Sequence, residues 1–161
     1  MYKYSKDNIY DISLMSINNE MIDLHQFRGK YILFVNVASY CGYTSQYSDL
    51  QKLYKTYNNL EIIGLPCNQF LFQEPFLENK IRKFCSLNYG ITFLMSKKIK
   101  VKGKSQHNLY KWLTSKELNG TKDSIVKWNF QKYLVGKKGD LIDYFYSKTN
   151  PLSAEITQHL I

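Results

Sequence analysis

Cys41 stands where the apolar run "YILFVNVA" gives way to a helical pattern, in "NVASYCGYTSQYSDLQKLYKTY", and Thr44 occupies the place where a dithiol motif would carry its second cysteine. A thiol at the mouth of a helix lies near free N–H groups and the positive end of the helix dipole, a setting that favours thiolate over thiol. With no second thiol three positions on, such a thiolate suits attack on something other than a disulfide. A peroxide is the obvious choice, because oxygen transfer turns a thiolate into a sulfenic acid. The same residue at a strand end could equally be a small buried hydrophobe. The cysteines are three in all, at 41, 67 and 85. That odd number makes no disulfide framework, and no His or Cys pair has zinc-ligand spacing, so reduced thiols and no metal or cofactor are expected. By periodicity alone Cys67 and Cys85 both read as buried packing residues.

The elements that would position Cys41 can be read around it. Strand-like runs, β-branched or aromatic and bounded by Gly, Pro, Asn or Asp, cover 30–38, 60–67, 125–136 and 140–146, the last two forming a hairpin around "GKKGD". Helical spacing runs through 44–57, through 77–88 with Leu77, Ile81, Phe84 and Cys85 on one face, through Leu109, Trp112 and Leu113, and through the closing segment from Pro151 to Leu160. A βαβ unit with a right-handed crossover, followed by a hairpin in the same sheet, predicts an α/β domain with a mixed central β-sheet and helices on both faces. This is the order of the thioredoxin fold. At 161 residues the whole chain, 1–161, is read as one domain.

Composition narrows the partners. Lysines and arginines number 22 against 13 acidic residues, a net charge of +9, concentrated in "SKKIKVKGKSQH" and "VGKKGD". No basic amphipathic helix or aromatic-interleaved motif organises that charge, so nucleic-acid binding is not expected, while peripheral contact with an anionic membrane stays open. The N-terminal residues show no basic segment followed by an apolar one, and no stretch reaches transmembrane length, which predicts a cytoplasmic protein.

Three blocks, "NVASYCGYT" (36–44), "LPCNQFLFQEP" (65–75) and "KWNFQKYLVGKKGDLIDYF" (127–145), resemble the signature blocks of the glutathione peroxidase family in order and spacing. The resemblance implies a thiol peroxidase for hydrogen peroxide and organic or lipid hydroperoxides, with Cys41 as the reactive residue and Gln73, Trp128 and Asn129 as its partners. Carboxamides and an indole N–H are neutral donors, able to stabilise a thiolate or a leaving oxygen without titrating near neutral pH. Resemblance to the cysteine-type, plant- and yeast-like branch further implies that Cys85 is the resolving cysteine and Cys67 dispensable. It also implies thioredoxin rather than glutathione as the reductant, and a monomer. Where the family usually has Gly after "NQF" and Gly-Ser after "QEP", this chain has Leu71, Phe72, Phe76 and Leu77, read as packing on a neighbouring helix or as an apolar lip. His107 is read as a cap or surface residue. The rival readings are a redox relay that oxidises a client protein, a non-catalytic thioredoxin-fold module, and a peroxiredoxin, whose "PxxxTxxC" pattern is missing before Cys41.

Overall fold

The computed structural model describes residues 8–161. Its centre is a five-stranded sheet built from β3 (Tyr31–Val37), β4 (Leu60–Pro66), β5 (Leu94–Met95), β6 (Lys132–Val135) and β7 (Leu141–Phe145), in the order β5-β4-β3-β6-β7. β3, β4 and β5 run parallel, and β6 and β7 are antiparallel additions beside β3. Two short strands, β1 (Leu14–Met15) and β2 (Met21–Ile22), pair separately.

β3 lies in the middle and is covered on both sides, which is why it reads as an unbroken apolar run rather than an alternation. Its Ile32 and Phe34 join Ile63, Leu65, Tyr133 and Val135 in one apolar layer, capped by α3 (Asn108–Thr114). Its Leu33, Val35 and Val37 join the opposite layer, under α1 (Gln46–Thr56), α2 (Glu78–Tyr89) and the short α5 (Ala154–Thr157). A one-residue helical stop closes α2: Gly90 adopts a left-handed φ of 58° and its N–H bonds back to Ser86 O. The α/β expectation, with a mixed sheet and helices on both faces, is met, and the hairpin falls where "GKKGD" placed it.

Two expectations fail locally. The strand expected over 125–136 begins only at Lys132. Phe130 takes a left-handed φ of 63°, its N–H is drawn 2.6 Å to the backbone oxygen of Asn36, and the Asn36 amide donates to Trp128 O at 3.0 Å. Residues just before β6 are thereby folded into a turn against the end of β3. The closing helix expected from Pro151 to Leu160 shrinks to α5, because the Asn150 side chain takes the Leu152 N–H at 2.8 Å and sets a turn first. Ile156 and Leu160 are buried as their spacing suggested. β5, the β1–β2 pair and α4 (Lys116–Asn119) had no detectable signal, since two to four residues are too few to show a period.

Asn36, fully buried on β3, thus carries the turn that bears Trp128 and Asn129. Asn36→Ala strips the donor from a buried carbonyl, a loss worth about 1–3 kcal/mol. Denaturant unfolding should show that destabilisation, and peroxide turnover per folded molecule should fall with it.

Candidate active site

Cys41 leaves the C-terminal end of β3 and is 9% exposed, with its thiol free. The helix expected from residue 44 starts at Gln46, and residues 41–45 make turns instead. The group that meets the sulfur is therefore a turn amide, Tyr43 N–H, 3.4 Å from Sγ. Thr44 fixes this turn. Its buried hydroxyl donates to Ala38 O at 2.8 Å and accepts the Cys41 N–H at 2.9 Å, so the second-thiol position serves as a clamp.

Gln73 lies half-buried in the loop that follows β4. Its backbone oxygen accepts Tyr40 N–H at 3.0 Å, the residue before Cys41, and its side-chain Oε1 accepts Asn129 Nδ2 at 3.0 Å. With the acceptor end engaged, Gln73 presents its amide donor. Asn129 is fully buried, and its backbone oxygen accepts the Ser147 hydroxyl. Trp128 packs against both apolar layers at the sheet edge, its ring 5.6 Å from that of Phe70. Gln73 and Asn129 thus meet directly, and the same glutamine is bonded to the Cys41 loop.

The other two cysteines are separated by the sheet. Cys85 shares the α1/α2 layer with Cys41, whereas Cys67 belongs to the layer under α3. Both thiols are pushed up by burial, Cys85 to about 11 with the Tyr47 hydroxyl offsetting part of the effect. All three are free, and α2 runs unbroken through Cys85.

Two fully buried charged groups escaped the sequence reading. Glu74 is fully buried, its Oε1 accepts the Ser39 hydroxyl at 2.8 Å, and burial lifts its carboxyl to about 7 against the opposing effects of Ser39 and Lys98. Lys132 is also fully buried. Its ammonium donates to Phe130 O at 2.7 Å and Ser147 O at 3.2 Å, and burial lowers it to about 7. Both brace the site, since Lys132 holds the turn after Asn129 and Glu74 ties the Gln73 loop to Ser39. A lysine opening a strand reads as a surface residue, and only the alternation with Leu134 could have turned it inward.

The large residues that replace the expected glycines do not fold back onto a helix, apart from Phe76. That ring lies 5.1 Å from Tyr40, under the Lys80 ammonium at 3.9 Å. Leu71 and Phe72 occupy left-handed φ values of 52° and 53°, and with Leu77 they are about three-quarters exposed (74%, 79% and 73%). His107 is a helix cap: Nδ1 accepts Leu109 N–H at 3.0 Å at the start of α3, and burial holds the ring neutral. Among the described residues no helix is long and apolar enough to cross a membrane.

A thioredoxin-fold sheet that delivers one thiol to its edge, with a carboxamide bonded to the thiol's loop and to a buried asparagine, describes a thiol peroxidase acting on hydroperoxides with a thiol reductant. The glutathione peroxidase family model matches residues 9–114, and the chain belongs to that family. It is 45% identical to the glutathione peroxidase of Lactococcus lactis over 92% of this chain and 95% of that one. It is 43% identical to the glutathione peroxidase-like peroxiredoxin HYR1 of Saccharomyces cerevisiae, over 92% of each. The crystal structure of Trgpx in apo form superposes with a TM-score of 0.74 at 33% identity, covering 97% of both chains.

The raised Glu74 carboxyl has a thermodynamic consequence. A group that holds its proton more tightly folded than unfolded adds stability that is complete below the ordinary value of 4.5 and lost as pH rises through about 7. Glu74→Gln removes that titration. The denaturation midpoint of the parent relative to this variant should fall between pH 4.5 and 7 and then level off.

Proposed function

We propose that residues 1–161 act as one catalytic domain in which Cys41 is the peroxidatic and Cys85 the resolving thiol. The Cys41 thiolate attacks the terminal peroxide oxygen, the O–O bond breaks, and an alcohol or water leaves with a proton while Cys41 becomes a sulfenic acid. Gln73, Trp128 and Asn129 supply neutral donors where negative charge develops as that bond breaks. Cys85 then attacks the sulfenic sulfur, releasing water and leaving a Cys41–Cys85 disulfide that a dithiol opens. The observation that supports this pairing is the partition of the thiols: Cys85 lies in the apolar layer of Cys41, and Cys67 lies across the sheet.

Cys85 sits on the buried face of α2, so pairing requires this helix to unwind. The rearranged disulfide suits a protein dithiol of the thioredoxin type better than glutathione, which would first have to form a mixed disulfide. The exposed Leu71, Phe72 and Leu77 beside Gln73 give the site an apolar rim suited to organic and lipid hydroperoxides as well as hydrogen peroxide. The excess of lysine suits a peripheral contact with an anionic membrane and offers no organised surface for nucleic acid. The protein is read as a cytoplasmic monomer.

Peroxide turnover with thioredoxin or glutathione as the sole reductant tests this reading. Thioredoxin should support cycling and glutathione should not. Cys41→Ser should be inactive, Cys85→Ser should consume one equivalent and stop, and Cys67→Ser should cycle like the parent. Gln73→Ala and Asn129→Ala should each slow Cys41 oxidation, by ~10²–10³ if they act as oxyanion-type donors. A Cys67→Ser protein that no longer cycles beside a Cys85→Ser protein that does would reverse the assignment.

A further inference from the structure

Resolution leaves one proton unaccounted for by the groups already described. Cys85 must lose its proton to attack Cys41; the S–S bond forms, the S–O bond breaks with its electron pair going to oxygen, and that oxygen must gain a proton to depart as water. Gln73, Trp128 and Asn129 are donors that do not exchange protons near neutral pH. The Cys85 thiol starts from an ordinary value of 9.0, and burial only raises it, so with α2 seated or released it is mostly protonated at that pH.

Glu74 is bonded to the segment that leads into Cys41, and its charge reaches Cys85. Its carboxyl is fully buried, with Oε1 bonded to Ser39, two residues before Cys41, and with Oε2 enclosed and without a hydrogen-bond partner among the described residues. Its charge acts on Cys85 of α2, on Tyr47 of α1 and on Cys67 at the end of β4. The cation that faces it is Lys98, beyond β5, which donates to the Glu74 backbone oxygen at 3.2 Å. The Glu74 N–H donates to Asn68 Oδ1 at 3.0 Å. Its backbone is therefore held on both sides by groups outside α2, and the carboxyl stays beside the Cys41 loop when α2 comes away.

A glutamine would accept the Ser39 hydrogen bond as well and would avoid the cost of burying an ionisable group. What a carboxyl adds is the capacity to take up and release a proton. We propose that Glu74 is the proton carrier of the resolving step: its carboxylate takes the proton of Cys85 and gives it to the oxygen leaving Cys41. No proton is gained or lost overall, and the water released carries the hydrogen that Cys85 gave up. This role rests on Cys85 being the resolving thiol. The elevation of the carboxyl to about 7 leaves both forms accessible at neutral pH, the condition for efficient acid–base work.

Single-turnover oxidation by hydrogen peroxide, quenched with an alkylating agent and read by mass spectrometry, follows the sulfenic acid and the Cys41–Cys85 disulfide separately. In the parent the rate of disulfide formation should climb with pH and level above about 7, following the Glu74 carboxyl. Glu74→Gln should slow disulfide formation by ~10²-fold, within the range of general acid–base catalysis, and abolish that plateau, while sulfenic acid accumulates. Resolution in Glu74→Gln at the parental rate and with the parental pH profile would overturn the proposal. So would a parental rate that climbs steadily to pH 8.5 with no plateau, a measurement that needs no variant to fold. A parent that forms no Cys41–Cys85 disulfide at all overturns the pairing of the thiols, a result distinguishable from either.

Discussion

Gln73 is bonded at both of its ends, and the site depends on that. Its backbone oxygen holds the residue before Cys41 and its side-chain oxygen holds Asn129, so one residue joins the loops that follow β3 and β4 and the turn that precedes β6. Three separate segments converge on one sheet edge only if their backbone polar groups find partners there. The same requirement explains the buried supports around it. Asn36 serves the Trp128 carbonyl, Lys132 serves the Phe130 carbonyl, and Ser147 serves that of Asn129. Each of these groups is a hydrophilic residue in a place where packing alone would prefer an aliphatic one.

Much of this was legible beforehand, for identifiable reasons. β3 and β4 are seven-residue runs buried on both faces, and α1 and α2 show an apolar stripe over three turns, so their signals are strong. The site residues Gln73, Trp128 and Asn129 came from the resemblance of their blocks to those of the glutathione peroxidase family, since singly each reads as a packing or capping residue. What escaped were features set by contacts distant in sequence. The 125–131 stretch is rich in strand-forming residues, and only Asn36, about ninety positions away, turns it aside. Glu74 and Lys132 look like solvent-exposed charges in the sequence, and nothing local announces that the fold encloses them. The terminal helix was overextended because apolar spacing persists through Leu160 while the Asn150 turn delays its start.

The central sheet also sorts the thiols. Because neighbouring positions of a strand face opposite ways, a shift of one residue at the end of β4 would have moved Cys67 into the layer of Cys41. The sheet itself is the barrier that keeps it away. Cys67 packs with Tyr110 and Phe70 under α3, and Cys85 packs with Tyr47 and Ile81 under α1 and α2. The layer that Cys67 joins is thus a matter of strand register.

The clamp at Thr44 bears on what this scaffold can become. In a dithiol oxidoreductase that position carries the second sulfur, and a single codon change would supply one here. The hydroxyl it displaced, however, is the partner of both the Ala38 carbonyl and the Cys41 amide, each of them enclosed. A thiol is a weak donor and a weak acceptor and would leave both poorly satisfied. The turn that presents Cys41 would then loosen in the same mutational step that created the new redox pair. Evolutionary passage from peroxide chemistry to disulfide exchange on this backbone therefore requires compensating changes in the loop, and the neighbouring function is not one substitution away.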